Sequence, residues 1–161
     1  MMIISFITMS MGVVIGICVG MSVTDNKMKK KLNNACNMSN KHLALFKMMN
    51  EWVRKKQDGK NLEDYFIKND FKTIAIYGMS YAGQTLVNEL KDSDVIVKYG
   101  MDKNANERYL DLEVFKPKEG LEPVDAIIVT PITYAWQIEC ELGAIFDCPI
   151  ISLEDVLYEM D

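Results

Sequence analysis

The sequence predicts an α/β protein: one N-terminal transmembrane helix, a helical linker, and a small parallel sheet with helices on both faces. Three observations predict it. Residues 1–23 carry no charged side chain. From Phe71 onward, short β-prone apolar runs alternate with stretches of helical period. The first of those runs passes directly into a glycine loop, Gly78-Met-Ser-Tyr-Ala-Gly83, placed to open a helix. The chain therefore divides into a membrane anchor (1–23), a basic helical linker (24–71) and an α/β domain (72–161).

At 1.5 Å rise per residue, a helix of 23 residues is roughly 34 Å long, enough to cross a hydrocarbon core of about 30 Å. A cleaved signal peptide fits less well, because there is no basic start, the apolar run is long, and no Ala-x-Ala-like site follows. Lys27, Lys29, Lys30 and Lys31 lie just after the run and no basic side chain precedes it. The positive-inside rule then puts the C-terminal side in the cytoplasm, single-pass in a cell inner membrane, with the lysines near anionic headgroups. Gly12, Gly16 and Gly20 fall four apart. Such a stripe lets a second helix backbone approach closely, which would suit a homodimer or another membrane protein.

The net charge of −5 averages two unlike halves. Residues 24–60 hold ten Lys/Arg against three acids, whereas residues 61–161 hold eight against twenty. The acidic half has no basic stripe to neutralise phosphates, so a nucleic-acid partner is excluded there. Cys18, Cys36, Cys140 and Cys148 are scattered, and His42 is the single histidine. That spacing supplies neither a zinc site nor a disulfide framework, and no metal is expected.

Lys27 to Gly59 reads as helix. Leu32, Cys36, Ser39, Leu43, Phe46, Met49 and Val53 recur at helical steps, and Met28, Met38, Met48 and Trp52 widen the face. This seam is expected to pack on the globular domain or on a copy of itself. Leu62 to Phe71 reads as a short helix burying Tyr65, Phe66 and Ile67. Strands are then expected at Thr73–Tyr77, Val95–Tyr99, Leu112–Phe115, Asp125–Thr130 and Cys148–Ile151. A helix face at Ala82, Leu86, Val87 and Leu90 follows the first strand, and one at Ala135, Ile138, Leu142, Ile145 and Phe146 follows the fourth. Ser152 is an N-cap with an acid at the third helical position, opening a last helix to Tyr158. Strands alternating with helices imply parallel pairing and right-handed crossovers, and their apolar interiors suit a sheet covered on both faces.

The glycine loop carries the functional reading. Between a strand and a helix, it aims the helix's free amides and dipole at an anion. Gly78 permits the turn and Gly83 lets helix and strand pack closely, while Ser80 replaces the middle glycine of the dinucleotide fingerprint. Its Cβ obstructs the closest approach to a diphosphate, yet its hydroxyl can donate to phosphate. Asp102 follows Gly78 by 24 residues, near the usual place of the acid that accepts from ribose hydroxyls. Thr130 ends another strand on the same edge. A small-molecule nucleotide such as NAD(P) is the ligand class this Rossmann-like pattern suits.

Residues 73–103 resemble the small Rossmann-like domains associated with bacterial surface-polysaccharide biosynthesis. They are similar as well to the N-terminal sugar-nucleotide-binding domain of bacterial sugar acyltransferases. Pro149-Ile-Ile-Ser-Leu-Glu-Asp155 fits the same pattern. The resemblance covers about 90 residues and implies a nucleotide-sugar or dinucleotide near Gly78, Ser80, Asp102 and Thr130, and Met79, Gly83 and Lys103 complete the candidate nucleotide-binding set. The acyltransferases' catalytic β-helix of hexapeptide repeats has no counterpart here, so their activity is not implied.

No catalytic constellation stands out. Tyr99-x-x-x-Lys103 has the spacing of a dehydrogenase Tyr/Lys pair but falls on a strand rather than a helix, and Cys140 and Cys148 lack a histidine partner. The expectation is a membrane-tethered nucleotide- or nucleotide-sugar-binding module, accessory or regulatory in polysaccharide assembly. Two other readings stay open: an interaction scaffold with a vestigial loop, and half of an NAD-dependent sugar-modifying enzyme completed by oligomerisation.

Overall fold

Five parallel strands in the order β3-β2-β1-β4-β5 form the sheet of the computed structural model. The structure describes the backbone of residues 2–105, 109 and 111–160, and side chains from residue 24 within that set. The expected membrane anchor and its Gly12/Gly16/Gly20 stripe lie outside the residues whose side chains are described. Among the described residues, no helix is long and apolar enough to cross a membrane.

The chain forms two compact units, Met1–His42 and Leu43–Asp161. The first is helical throughout its described length, as the N-terminal part of α1 (Met2–Gln57), and its side chains from Thr24 to Asn40 are exposed. The second begins with the remainder of α1. It continues through α2 (Leu62–Lys68), β1 (Thr73–Tyr77), α3 (Tyr81–Glu89), β2 (Ile96–Met101), β3 (Val114–Phe115) and β4 (Ala126–Val129). A 3-10 turn (Ile132–Tyr134), α4 (Ala135–Gly143), β5 (Ile150–Ser152) and α5 (Leu153–Glu159) complete it.

Alternation along each strand sorts the core into two layers. Ile74, Ile76, Ala126 and Ile128 face α2, α3, α5 and the end of α1, through Phe66, Leu86, Leu157 and Trp52. Ala75, Tyr77, Tyr99, Met101, Ile127 and Val129 face α4, through Ile138 and Leu142. Helices thus cover both faces, and β1 and β4 are fully apolar inside, as parallel pairing requires.

Three local expectations are corrected. The short helix ends at Lys68 rather than Phe71, and Ile67, expected inside, is 54% exposed. One turn cannot aim Tyr65, Phe66 and Ile67 at the same face, because successive helical residues diverge by about 100°. The second strand runs on through Gly100 and Met101, since these pair with β1 and β3 at once. The α1 seam splits as well. Met48 and Trp52 are buried in the core, whereas Leu43, Phe46 and Val53 are exposed.

Two carboxylates tie the loops down. Asp125 accepts from the Lys72 and Thr73 amides at 3.0 and 2.7 Å and from the Thr73 hydroxyl at 2.8 Å. The Thr73 hydroxyl bond leads the effects that hold its carboxyl below the usual range. Glu89 accepts from Trp52 Nε1 at 2.7 Å, Lys56 Nζ at 3.3 Å and the Leu62 amide at 3.4 Å, which fastens the end of α1 to α3.

Phe66→Ala should cost about 3–5 kcal/mol in chemical unfolding, as expected for a fully buried ring, while Ile67→Ala should cost less than about 1 kcal/mol. Tyr65 donates to Glu159 at 3.3 Å, and burial leads the causes that raise its phenol from 10.0 to about 12. The folded state therefore keeps a proton that the unfolded chain releases, so stability falls as pH rises between 10.0 and about 12. Denaturant midpoints measured across that window should fall less steeply in Tyr65→Phe.

Candidate functional site at the glycine loop

Because the strands are parallel, the C-terminal ends of β1, β2 and β4 share one edge of the sheet. The chain crosses from β1 to β2 on one side, and β4 lies on the other, so the loop after β1 sits at the switch in strand order where open α/β sheets hold their ligands.

Gly78 adopts φ +95°. A Cβ there would fall 2.7 Å from the Pro131 ring and from Thr130 Oγ1. Its amide donates to the Met101 carbonyl at 2.8 Å, so the loop starts as an extension of the β1–β2 ladder. A Cβ on Gly83 would meet the Gly78 carbonyl oxygen at 2.1 Å. The first turn of α3 therefore lies directly on the end of β1, and only glycine allows it. Ser80 is the exposed N-cap of α3 in extended conformation, and its side chain makes no capping bond. Gln84 closes the loop instead, donating from Nε2 to the Met79 carbonyl at 3.1 Å.

Asp102 reaches this loop from the end of β2. One carboxylate oxygen accepts the Met79 amide at 3.2 Å, and the other accepts the Asn104 amide at 2.9 Å. A carboxylate has about four acceptor positions, so this leaves capacity for two further donors such as ribose hydroxyls. Thr130 is buried, and its hydroxyl donates to the Gly78 carbonyl at 2.6 Å and sits 3.2 Å from that of Tyr77. It braces the loop rather than presenting itself to a ligand. Lys103 pairs with Glu141 of α4 at 3.0 Å. The pairing holds the lysine above, and the glutamate below, its ordinary range. Burial raises the Tyr77 phenol, against the partial offset of Lys103.

The structure thus brings Gly78, Met79, Ser80, Gly83, Asp102 and Thr130 together. Lys103 turns toward α4. Sequence reasoning missed Gln84, Glu141 and Gly100. A Cβ on Gly100 would press on Met79 Sδ at 2.8 Å, so that glycine makes room for the loop's own side chain. Its placement two residues before the β2 acid was the available signal. Tyr99 lies inside β2 with its hydroxyl on the Glu122 carbonyl at 2.9 Å, remote in role from Lys103. Cys148 is half-buried, and burial pushes its thiol up, away from a reactive thiolate. Among the described residues no His/Cys/Asp/Glu cluster could hold a metal.

Compared with known proteins, the chain matches no family model, no curated protein and no solved structure.

Gly83→Ala should destabilise by about 3 kcal/mol, the upper end of the usual overpacking range, because the opposing atom is backbone oxygen and cannot swing away. Gly120→Ala is the contrasting control. Its added Cβ meets nothing within 4 Å, so its cost comes only from the positive φ of 77°. Urea unfolding of both variants separates packing from backbone strain.

Proposed function

We propose that the chain is a membrane-tethered cytoplasmic module that binds a nucleotide or nucleotide-sugar at the Gly78 loop. Its role is accessory or regulatory in bacterial surface-polysaccharide biosynthesis. One observation carries the binding reading: the Asp102 carboxylate lies beside the open N-terminus of α3, fixed by the Met79 and Asn104 amides. A ligand that spans the two would place its phosphate on the α3 amides and its ribose hydroxyls on Asp102. The hydroxyl of Ser80, at the helix entrance, is free of capping duty and can donate to a phosphate there. The pathway assignment rests on the resemblance of residues 73–103 and 149–155, and the tether on the uncharged run 1–23.

A second reading has its own support. Thr130 and Lys103 are engaged within the protein. A scaffold that keeps the loop for its geometry would look the same at those two positions.

The two readings part in thermal unfolding of the full chain in a neutral detergent, against NAD(H), NADP(H), CoA, SAM and UDP-, GDP- and CDP-sugars. A ligand at a hundred times its Kd should add about 2.7 kcal/mol of stability. The shift should vanish in Asp102→Ala and survive, weakened, in Ser80→Ala. No shift with any compound would leave the scaffold.

A further inference from the structure

The last turns of α1 have two opposite faces, and only one is used. Met48, Trp52 and Lys55 are buried against the α/β domain. About half a turn away, by the helical wheel, stand Leu43, Phe46, Asn50 and Val53. The three apolar members are 52%, 69% and 52% exposed. These four follow one another at steps of three, four and three residues. That is the heptad spacing of a coiled-coil seam, with a polar Asn at one inner position, the device that fixes register between paired helices. In sequence the same steps run back through Ser39, Cys36 and Leu32. The stripe is too narrow for a helix lying in a lipid interface, which presents a broad apolar face.

Charge selects the partner. Lys47 and Arg54 are exposed on one flank of the seam, whereas Lys56 on the other is already paired with Glu89 of the same chain at 3.3 Å. Glu51 is the only acid from Leu43 to Gln57, and it lies off the seam. Two copies paired in parallel would set Lys47 against His42 and Arg54 against Met49, and an antiparallel pair would bring Lys47 and Arg54 of both copies together. Neither arrangement supplies a carboxylate. We propose that the Leu43–Phe46–Asn50–Val53 seam docks an amphipathic helix of another protein that carries Glu or Asp on the flank of its own apolar stripe that meets Lys47 and Arg54.

The test uses the full chain in a neutral detergent and two labelled synthetic helices with leucine seams, one inner Asn, and either glutamate or lysine at every flanking position. Fluorescence anisotropy at low salt should show the glutamate helix binding at least about tenfold tighter than the lysine helix. Lys47→Glu with Arg54→Glu should invert that preference. Phe46→Ser should abolish binding without moving the Tm, because the ring is exposed. Equal binding of the two helices, or binding indifferent to Phe46→Ser, would overturn the proposal. So would a Cys36–Cys36 cross-link under mild oxidation that the glutamate helix cannot suppress, which would give the seam to a second copy. Displacement of the glutamate helix by phosphatidylserine doped into the micelles would give it to a lipid surface.

Discussion

The backbone of α3 rests on the end of β1, and much of the domain follows from that contact. The Gly78 carbonyl lies where a Cβ of residue 83 would be, so helix and strand meet at a distance no side chain permits. That closeness sets the depth of α3 on the sheet, and with it the burial of Ala82 and Leu86 against Ile74 and Ile76. It also fixes the direction in which the helix's first amides point. The Thr130 hydroxyl holds the same carbonyl from the other side at 2.6 Å, so β4 joins the arrangement.

A loop held this tightly has few internal degrees of freedom left, which is what a preorganised binding site requires. Most of its polar groups brace it. Thr130, Gln84 and the Gly78 amide brace the backbone. Asp102 braces it as well, and its contacts with the Met79 and Asn104 amides orient the carboxylate without exhausting its acceptors. The Ser80 side chain makes no capping bond. The substitution of serine for a small glycine therefore matters less for the turn, which Gly78 makes alone, than for what can approach it.

At the opposite edge of the sheet, carboxylates substitute for longer secondary structure. β1 enters the sheet with its first amide, and that of Lys72 just before it, on Asp125. Glu89 does the same for α1 and α2, gathering an indole, an ammonium and a backbone amide. Charge-assisted bonds of this kind let a small domain recruit the end of a long helix into its core. They also dictate which side of α1 turns inward: once Trp52 reaches Glu89, the heptad stripe on the other side stays in solvent.

The sequence by itself determined the order of elements, the parallel sheet and the place of the glycine loop. Those depend on period, on β-prone runs such as Thr73–Tyr77, and on glycines whose spacing has few structural meanings. Gly78, Gly83 and Asp102 were legible because the turn, the close approach and the strand-end acid each need a particular residue at a particular distance along the chain. Only the tertiary structure decided what each polar group does. That Thr130 spends its hydroxyl on Gly78, that Lys103 leaves the loop for Glu141, and that Gln84 locks Met79 are outcomes of separations in space that no spacing along the chain encodes. The same holds for α1, whose apolar residues lie all round its last turns. Which of them become core was settled by the position of Glu89 and the sheet, because a helix with two apolar stripes carries no local preference between them.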